Sequence, residues 1–244
     1  MAKICLDYGH GGNDPGAVYK GRKESDDNLS LGMAVATELR RHGVEVSETR
    51  TTDRAVSLAE RSSLANKDGC DYFISFHRNA FQPEQAKGVE TFVYTAPSTK
   101  SVQLAEKIQK ALVGIGFVNR GVKRANFHVL RETRSPAVLV EAGFLDNSLD
   151  NQLFDSKRKE IVIALARAIL SQLGISYTTP PPTSQTAPDS GQILYRVMAG
   201  SYAIRDNAQK QVARLKAAGF DATIMIHTSF CYNTNAHSFL ASLH

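Results

Sequence analysis

Two hydrophobic rhythms alternate along the first 176 residues. Short apolar runs closed by glycine or a polar residue read as buried strands, and apolar positions recurring every three to four residues read as helices. Lys3-Ile4-Cys5-Leu6-Asp7 is the first such run, and it feeds a glycine-rich loop. Leu29, Met33, Ala36 and Leu39 then recur at helical spacing, with Asp26 and Asp27 in the first turn. Arg40, Arg41 and His42 precede Gly43, so the helix carries charges that complement its dipole at both ends, and His42 reads as a C-terminal cation. Residues 44–47 alternate as a strand. Residues 56–67 predict a second helix, with Ala55, Leu58, Ala59, Ser62 and Ala65 on or near one face. Strands are expected at 72–76 and 89–94, a helix at 99–113 on Val102, Ala105, Ile108 and Leu112, and short strands at 127–130 and 137–141. A helix over 156–173 follows, with Ile161, Leu165, Ala168 and Ile169 facing inward, stopped at Gly174. This order predicts an α/β fold, a mixed, largely parallel twisted sheet flanked by helices, in which functional groups gather at the C-terminal ends of strands.

The pattern breaks at residues 178–188, where Pro180, Pro181, Pro182 and Pro188 stand among small polar residues. Such a segment is an extended, solvated linker, placed at 177–191. Beyond it a strand over 194–202, a helix over 206–218 and a strand over 222–226 form a small βαβ piece, too short to bury a core alone. Residues 228–244 show no usable periodicity. The expected organisation is therefore a domain at 1–176, a linker at 177–191 and a C-terminal module at 192–244.

Composition narrows the classes. An apolar fraction of 42% and a charged fraction of 22% suit a globular protein with an ample core. The net charge of +5 is spread thinly, which suits approach to an anionic polymer such as a bacterial wall and lacks the dense basic stripe of a nucleic-acid binder. The three cysteines, Cys5, Cys70 and Cys231, suggest neither a disulfide framework nor a cysteine-rich zinc site. Cys5 and Cys70 read as small buried apolar residues, with a bridge between them left open. No signal-peptide pattern follows Met1, and the most apolar long segment, 161–170, is short and contains Arg167, so no membrane span is expected.

Candidate chemistry lies on four residues. His10 sits in the loop Gly9-His10-Gly11-Gly12, Glu24 follows it, His77 closes the run Tyr72-Phe73-Ile74-Ser75-Phe76, and Glu141 closes Ala137-Val138-Leu139-Val140. Two imidazoles and a carboxylate suit zinc, leave a coordination position for water, and allow a further carboxylate to move that water's proton. Chemistry alone permits the two glutamates to exchange roles. Glu24 between loop and helix suits a ligand, whereas a carboxylate ending an apolar strand, as Glu141 does, needs a specific reason to be there. A loop histidine taken alone is more often solvent-exposed than a ligand. His128 is expected at a sheet edge, and Asn79 and Asn147 are either partners of the ligands or turn residues.

Six separated motifs carry a resemblance. Leu6-Asp7-Tyr8-Gly9-His10-Gly11-Gly12-Asn13-Asp14-Pro15-Gly16-Ala17 precedes Glu24. Thr49-Arg50 follows with Asp53 and Arg61, then Ser75-Phe76-His77-Arg78-Asn79-Ala80, then Lys87-Gly88-Val89-Glu90-Thr91. The last is Val138-Leu139-Val140-Glu141-Ala142-Gly143-Phe144-Leu145-Asp146-Asn147. In this order they resemble the zinc-dependent N-acetylmuramoyl-L-alanine amidases of autolysins and phage endolysins, the amidase type 3 family. The resemblance implies one Zn2+ per catalytic domain on His10, Glu24 and His77, and catalysis by Glu141. It implies hydrolysis of the amide between N-acetylmuramic acid and L-alanine in peptidoglycan. Tyr8 and Arg78 depart from the family pattern beside ligands. Residues 194–226 resemble the first half of a SPOR module, a peptidoglycan-binding repeat, and tilt the reading towards a sporulation autolysin that lyses the mother cell. The expectation is a monomer acting at the cell wall or extracellularly and released by lysis, with no nucleic-acid or membrane partner. Arg78, Lys123 and Arg131 are candidates for binding stem-peptide carboxylates. The alternatives are a non-catalytic wall-binding protein and a zinc peptidase cutting within the stem peptide.

Overall fold

The computed structural model describes residues 2–179, 205–217 and 224 of the chain, which divides into two units, Met1–Pro180 and Pro181–His244. The first unit is built in the order β1 (Lys3–Tyr8), β2 (Val18–Tyr19), β3 (Arg22–Lys23), α1 (Glu24–Arg41), β4 (Glu45–Glu48), α2 (Leu58–Asp68), β5 (Tyr72–Asn79) and β6 (Val89–Val93). It continues with α3 (Thr99–Ile115), β7 (Asn119–Arg124), α4 (His128–Arg131), β8 (Ala137–Phe144), α5 (Ser148–Ser156) and α6 (Arg158–Gln172). Six strands form one sheet in the order β4-β1-β5-β8-β6-β7. The first four run parallel, β6 lies antiparallel to β8, and β7 follows β6 in parallel. The mixed, largely parallel sheet is the expected one.

Successive side chains on a strand point to opposite faces, so the central runs must satisfy two cores at once. Ile4, Leu6, Ile74, Phe76, Val138 and Val140 face the larger core with Val35, Leu39, Leu104, Ile108, Leu165 and Ile169 of α1, α3 and α6. Cys5, Phe73, Ala137 and Leu139 face the smaller one, closed by Ala65 of α2 and by Val129 and Leu130 of α4. Continued along the strands, this second set becomes Asp7, Ser75, His77 and Glu141. The smaller core thus gives way to a row of polar groups at one end of the sheet.

Several expectations are corrected. The segment 127–130 is not a strand: His128–Arg131 is a one-turn helix, since a four-residue apolar run fits either state. The true strand lies just before it, at Asn119–Arg124, and holds a single apolar residue because it is an edge strand. The second helix starts at Leu58 behind a Ser57/Glu60 capping box, and Leu58 and Ala59 are exposed rather than inward. The 156–173 segment begins at Arg158, after a separate helix capped by Asn147. Cys5 and Cys70 are both free and buried, and Cys231 lies outside the described residues. No helix among the described residues is long and apolar enough to cross a membrane. In the second unit α7 (Arg205–Ala217) matches the expected helix. Most of the linker and both strands expected around α7 fall outside the described residues, Ile224 excepted.

Tyr8, one of the departures from the family pattern, is fully buried and donates its hydroxyl to Glu48 Oε1 at 2.8 Å. Gly32 on α1 makes room for it, because a Cβ there would lie 1.9 Å from the ring. Gly32→Ala is therefore expected to destabilise the protein by about 1–3 kcal/mol through overpacking, outweighing the roughly 1 kcal/mol that alanine gains in a helix. In a Tyr8→Ala background the same substitution should stabilise. Urea unfolding of the four proteins measures the coupling, and an unchanged sign in both backgrounds contradicts the packing argument.

Candidate active site

The loop after β1 departs from regular structure and presents His10. Its backbone is in the left-handed region, φ 63°, a conformation uncommon for a residue with a side chain. Gly9 must lack a side chain, because a Cβ would meet the His77 ring at 2.2 Å. The loop's inward carbonyls need donors, and two buried arginines supply them. Arg50 donates to Tyr8 O and Gly9 O at 2.8 and 3.0 Å. Arg61 donates to Tyr8 O at 2.7 Å and His10 O at 2.9 Å, and its Nη1 pairs with Asp7 Oδ1 at 2.7 Å. A Gly11–Asp14 backbone bridge and a bond from Gly12 N to Asp53 Oδ1, at 2.7 Å, close the turn.

Glu24, His10 and His77 converge. Glu24 is the first residue of α1, and its Oε1 lies 3.2 Å from His10 Nε2 and 2.9 Å from His77 Nδ1. The same oxygen accepts from Arg78 N at 3.1 Å and Asn28 Nδ2 at 3.3 Å, while Oε2 accepts from Ala17 N at 3.0 Å. On its far side His10 Nδ1 meets Asp14 Oδ2 at 2.8 Å. A carboxylate only accepts, so Asp14 fixes a proton on Nδ1 and turns Nε2 inward. Burial opposes charge on all three residues, yet their mutual bonds prevail. Glu24 is held well below the usual carboxylate range, His10 rises to about 9, and His77 is raised. One donor atom from each lies within 4.8 Å of the others. Two imidazoles and a buried carboxylate fit a borderline divalent ion, which would take the place of the protons now shared with Glu24.

Glu141 stands beside this set. It lies opposite His77 across β5 and β8 and opposite Glu90 across β8 and β6. Its Oε2 is buried and finds no hydrogen-bond partner among the described residues. Burial drives its pKa up to about 7, against the pull of His77 and with the further push of Glu24 and Glu90. Both strands were expected to end at these residues. Instead they continue to Asn79 and Phe144, with a register shift between His77 and Asn79. A cleft of about 410 Å³ opens over His10, His77 and Glu141, its other wall carrying Val56, Leu58 and Phe127. Leu58 is exposed because it faces this cleft.

The remaining candidates separate. His128 also lines the cleft, on α4 rather than at a sheet edge, with Nε2 3.5 Å from Ser62 Oγ. His42 ends α1 and meets Glu38 O through Nδ1 at 2.8 Å. Asn147 is a cap, whereas Asn79 Nδ2 reaches Glu90 Oε1 at 2.7 Å. Arg78 is not a substrate-facing cation: it lies on the opposite sheet face, buried, paired with Asp27 at 2.6 Å and bonded to Asn151 at 2.7 Å. Lys123 is held by Glu90, and Arg131 by Glu132 and Asn126. Reasoning from sequence gave Asp7, Asp14, Asn28, Arg50, Arg61 and Glu90 no role. The available signal was polar character inside or directly after apolar runs, for Asp7 and Glu90 above all.

The chain matches the family described as N-acetylmuramoyl-L-alanine amidase over residues 4–171 and the SPOR domain over residues 163–226. It is 36% identical over 234 residues to the sporulation-specific N-acetylmuramoyl-L-alanine amidase of Bacillus subtilis (strain 168), covering 93% of this chain and 85% of that one. Its fold is similar to the crystal structure of N-acetylmuramoyl-L-alanine amidase from Clostridium difficile 630. The TM-score is 0.68 at 33% identity, covering 71% of this chain and 97% of the other. It is likewise similar to the catalytic domain of CwlV, the amidase of Bacillus (Paenibacillus) polymyxa var. colistinus, with TM-score 0.67 at 30% identity, covering 72% and 100%.

The charge state of the three converging residues generates a prediction. With His10 at about 9, the metal-free protein carries a proton there at neutral pH that a metal must displace. Metal affinity should therefore rise with pH by about tenfold per unit for each proton released, and flatten above about 9. Calorimetry of metal uptake at pH 7 in buffers of different ionisation heat should report release of at least one proton, and release of none contradicts the assignment.

Proposed function

This chain belongs to the N-acetylmuramoyl-L-alanine amidase family and is a peptidoglycan hydrolase, and we propose that His10, Glu24 and His77 hold its one zinc ion while Glu141 moves the proton. Zinc supplies Lewis acidity and a water whose pKa falls to roughly 7. Glu141 accepts the proton of the attacking water and returns it to the L-alanine nitrogen as the lactyl amide bond breaks. The observation that carries this role is its buried oxygen without a partner, in a carboxyl group whose pKa of about 7 makes both protonation states accessible at neutral pH. Asp14 keeps the His10 ring in the required tautomer, and the arginine-bonded carbonyls keep its backbone in place.

All four residues come from one chain, so a monomer suffices. Residues 1–176 form the catalytic domain, 177–191 a linker, and 192–244 a partial SPOR-like module that adds affinity for the wall. The SPOR match over residues 163–226 supports a SPOR-like module here, although that match also runs back into α6. The place of action is the cell wall, and a sporulation context follows from the likeness to the Bacillus subtilis relative.

Glu141→Gln should lower wall hydrolysis by about 10²- to 10⁴-fold while zinc stays near one per chain, and an active variant removes Glu141 from this role. Chelation should abolish hydrolysis and zinc should restore it. Mass spectrometry of the digest should show intact stem peptides with free N-terminal alanine. Fragments cut inside the peptide would indicate a peptidase, and adhesion without products a binding protein.

A further inference from the structure

Glu90, Arg120 and Lys123 take no part in the proton transfer just described, yet they adjoin it. Glu90 faces Glu141 across β6 and β8, so the two carboxyl groups share a sheet face on strands about 4.8 Å apart. Glu90 is buried, accepts from Asn79 Nδ2 on Oε1, and holds Arg120 Nε at 2.8 Å and Lys123 Nζ on Oε2. Lys123 is in register with Phe92, which places it on the same face. One carboxylate between two cations leaves one net positive charge. The side chains of Arg120 and Lys123 remain 34% and 41% exposed. Among the described residues no acceptor meets the Nη groups of Arg120, and Lys123 spends a single N–H.

Besides the imidazoles of His10, His77 and His128, the only cationic side chain lining the cleft among the described residues is Arg61. Arg61 is buried there, with its N–H groups committed to Asp7 and to three backbone carbonyls, Tyr8 O, His10 O and Val56 O. The wall of Val56, Leu58 and Phe127 is apolar. An anionic group of the substrate thus finds uncommitted guanidinium and ammonium donors on the β7 side of Glu141. We propose that Arg120 and Lys123, bracketed by Glu90, form a carboxylate subsite for the stem peptide. Its ligand is the free α-carboxylate of the second, D-glutamyl residue, the first ionisable group beyond the scissile amide. This rests on the amidase reading. The α-carbon bearing that carboxylate lies one residue, about 3.8 Å, beyond the alanine whose nitrogen Glu141 protonates, within the span of two strands. A carboxamide at that position carries no charge and forfeits the charge-assisted bonds.

The test uses the zinc-loaded full chain and two synthetic muramoyl peptides that differ only in a free or an amidated α-carboxyl on the second residue. The free acid should be cleaved with a kcat/KM roughly 10- to 100-fold higher. Lys123→Met and Arg120→Gln should each lower that ratio towards one by slowing the free acid alone, whereas Arg131→Gln should leave it unchanged. Equal rates on the two peptides with the unaltered protein, or variants that slow both equally, would overturn the subsite. Cleavage of neither peptide at the muramoyl amide would overturn the amidase reading and the subsite with it.

Discussion

Asp7 is the constraint on which the site depends. Buried at the end of β1, it accepts from Arg61 Nη1 and Thr49 Oγ1 on one oxygen, each at 2.7 Å, and from Ser75 Oγ on the other at 2.6 Å. Those bonds justify a guanidinium in the interior, and that guanidinium can then serve the carbonyls of the following loop. A second one, Arg50, lies close enough that repulsion from Arg61 adds to burial in lowering its pKa. Like charges are tolerated together here because a carboxylate and a row of carbonyl dipoles face them. The left-handed backbone of His10 is thus a product of the sheet beneath it, and the imidazole arrives already aimed.

Two glutamates a few ångströms from the same histidines meet opposite fates. Glu24 receives two imidazoles and three N–H donors, and stays ionised in spite of burial. Glu141 receives no bond on one oxygen, and burial together with the charges of Glu24 and Glu90 outweighs the pull of the histidines, so its proton is loosely held near neutrality. The proposed division between metal ligand and proton carrier therefore rests on hydrogen bonding rather than on residue type.

Much of this was legible in the sequence. The central strands must be apolar on both faces, and such runs announce themselves, as do helices with a stripe facing a large core. What escaped did so for physical reasons. The edge strand β7 needs apolar groups on almost no position, and the cleft-lining helix α4 looks like a strand because four residues cannot display a period. Leu58 was read as core although it faces the cleft, since hydrophobicity does not distinguish a buried residue from one awaiting a ligand. Arg78 was misjudged from charge alone, although its place next to His77 on a strand already put it on the other face. The four chemical residues were legible as types, but the choice between the glutamates needed either the family resemblance or the observed hydrogen bonds.

The reversal of direction between β8 and β6 has a consequence for how this enzyme can diverge. The three residues proposed to hold the metal lie at or before residue 77, whereas the strands flanking Glu141 on its other side are drawn from residues 89–124. In the sheet β8 lies between the two halves, with Asn79 of β5 reaching across to Glu90 of β6. Drift in the later segment can retune which walls are digested while the inherited catalytic apparatus stays intact, so grafting that segment between relatives is a natural route to altered lytic range.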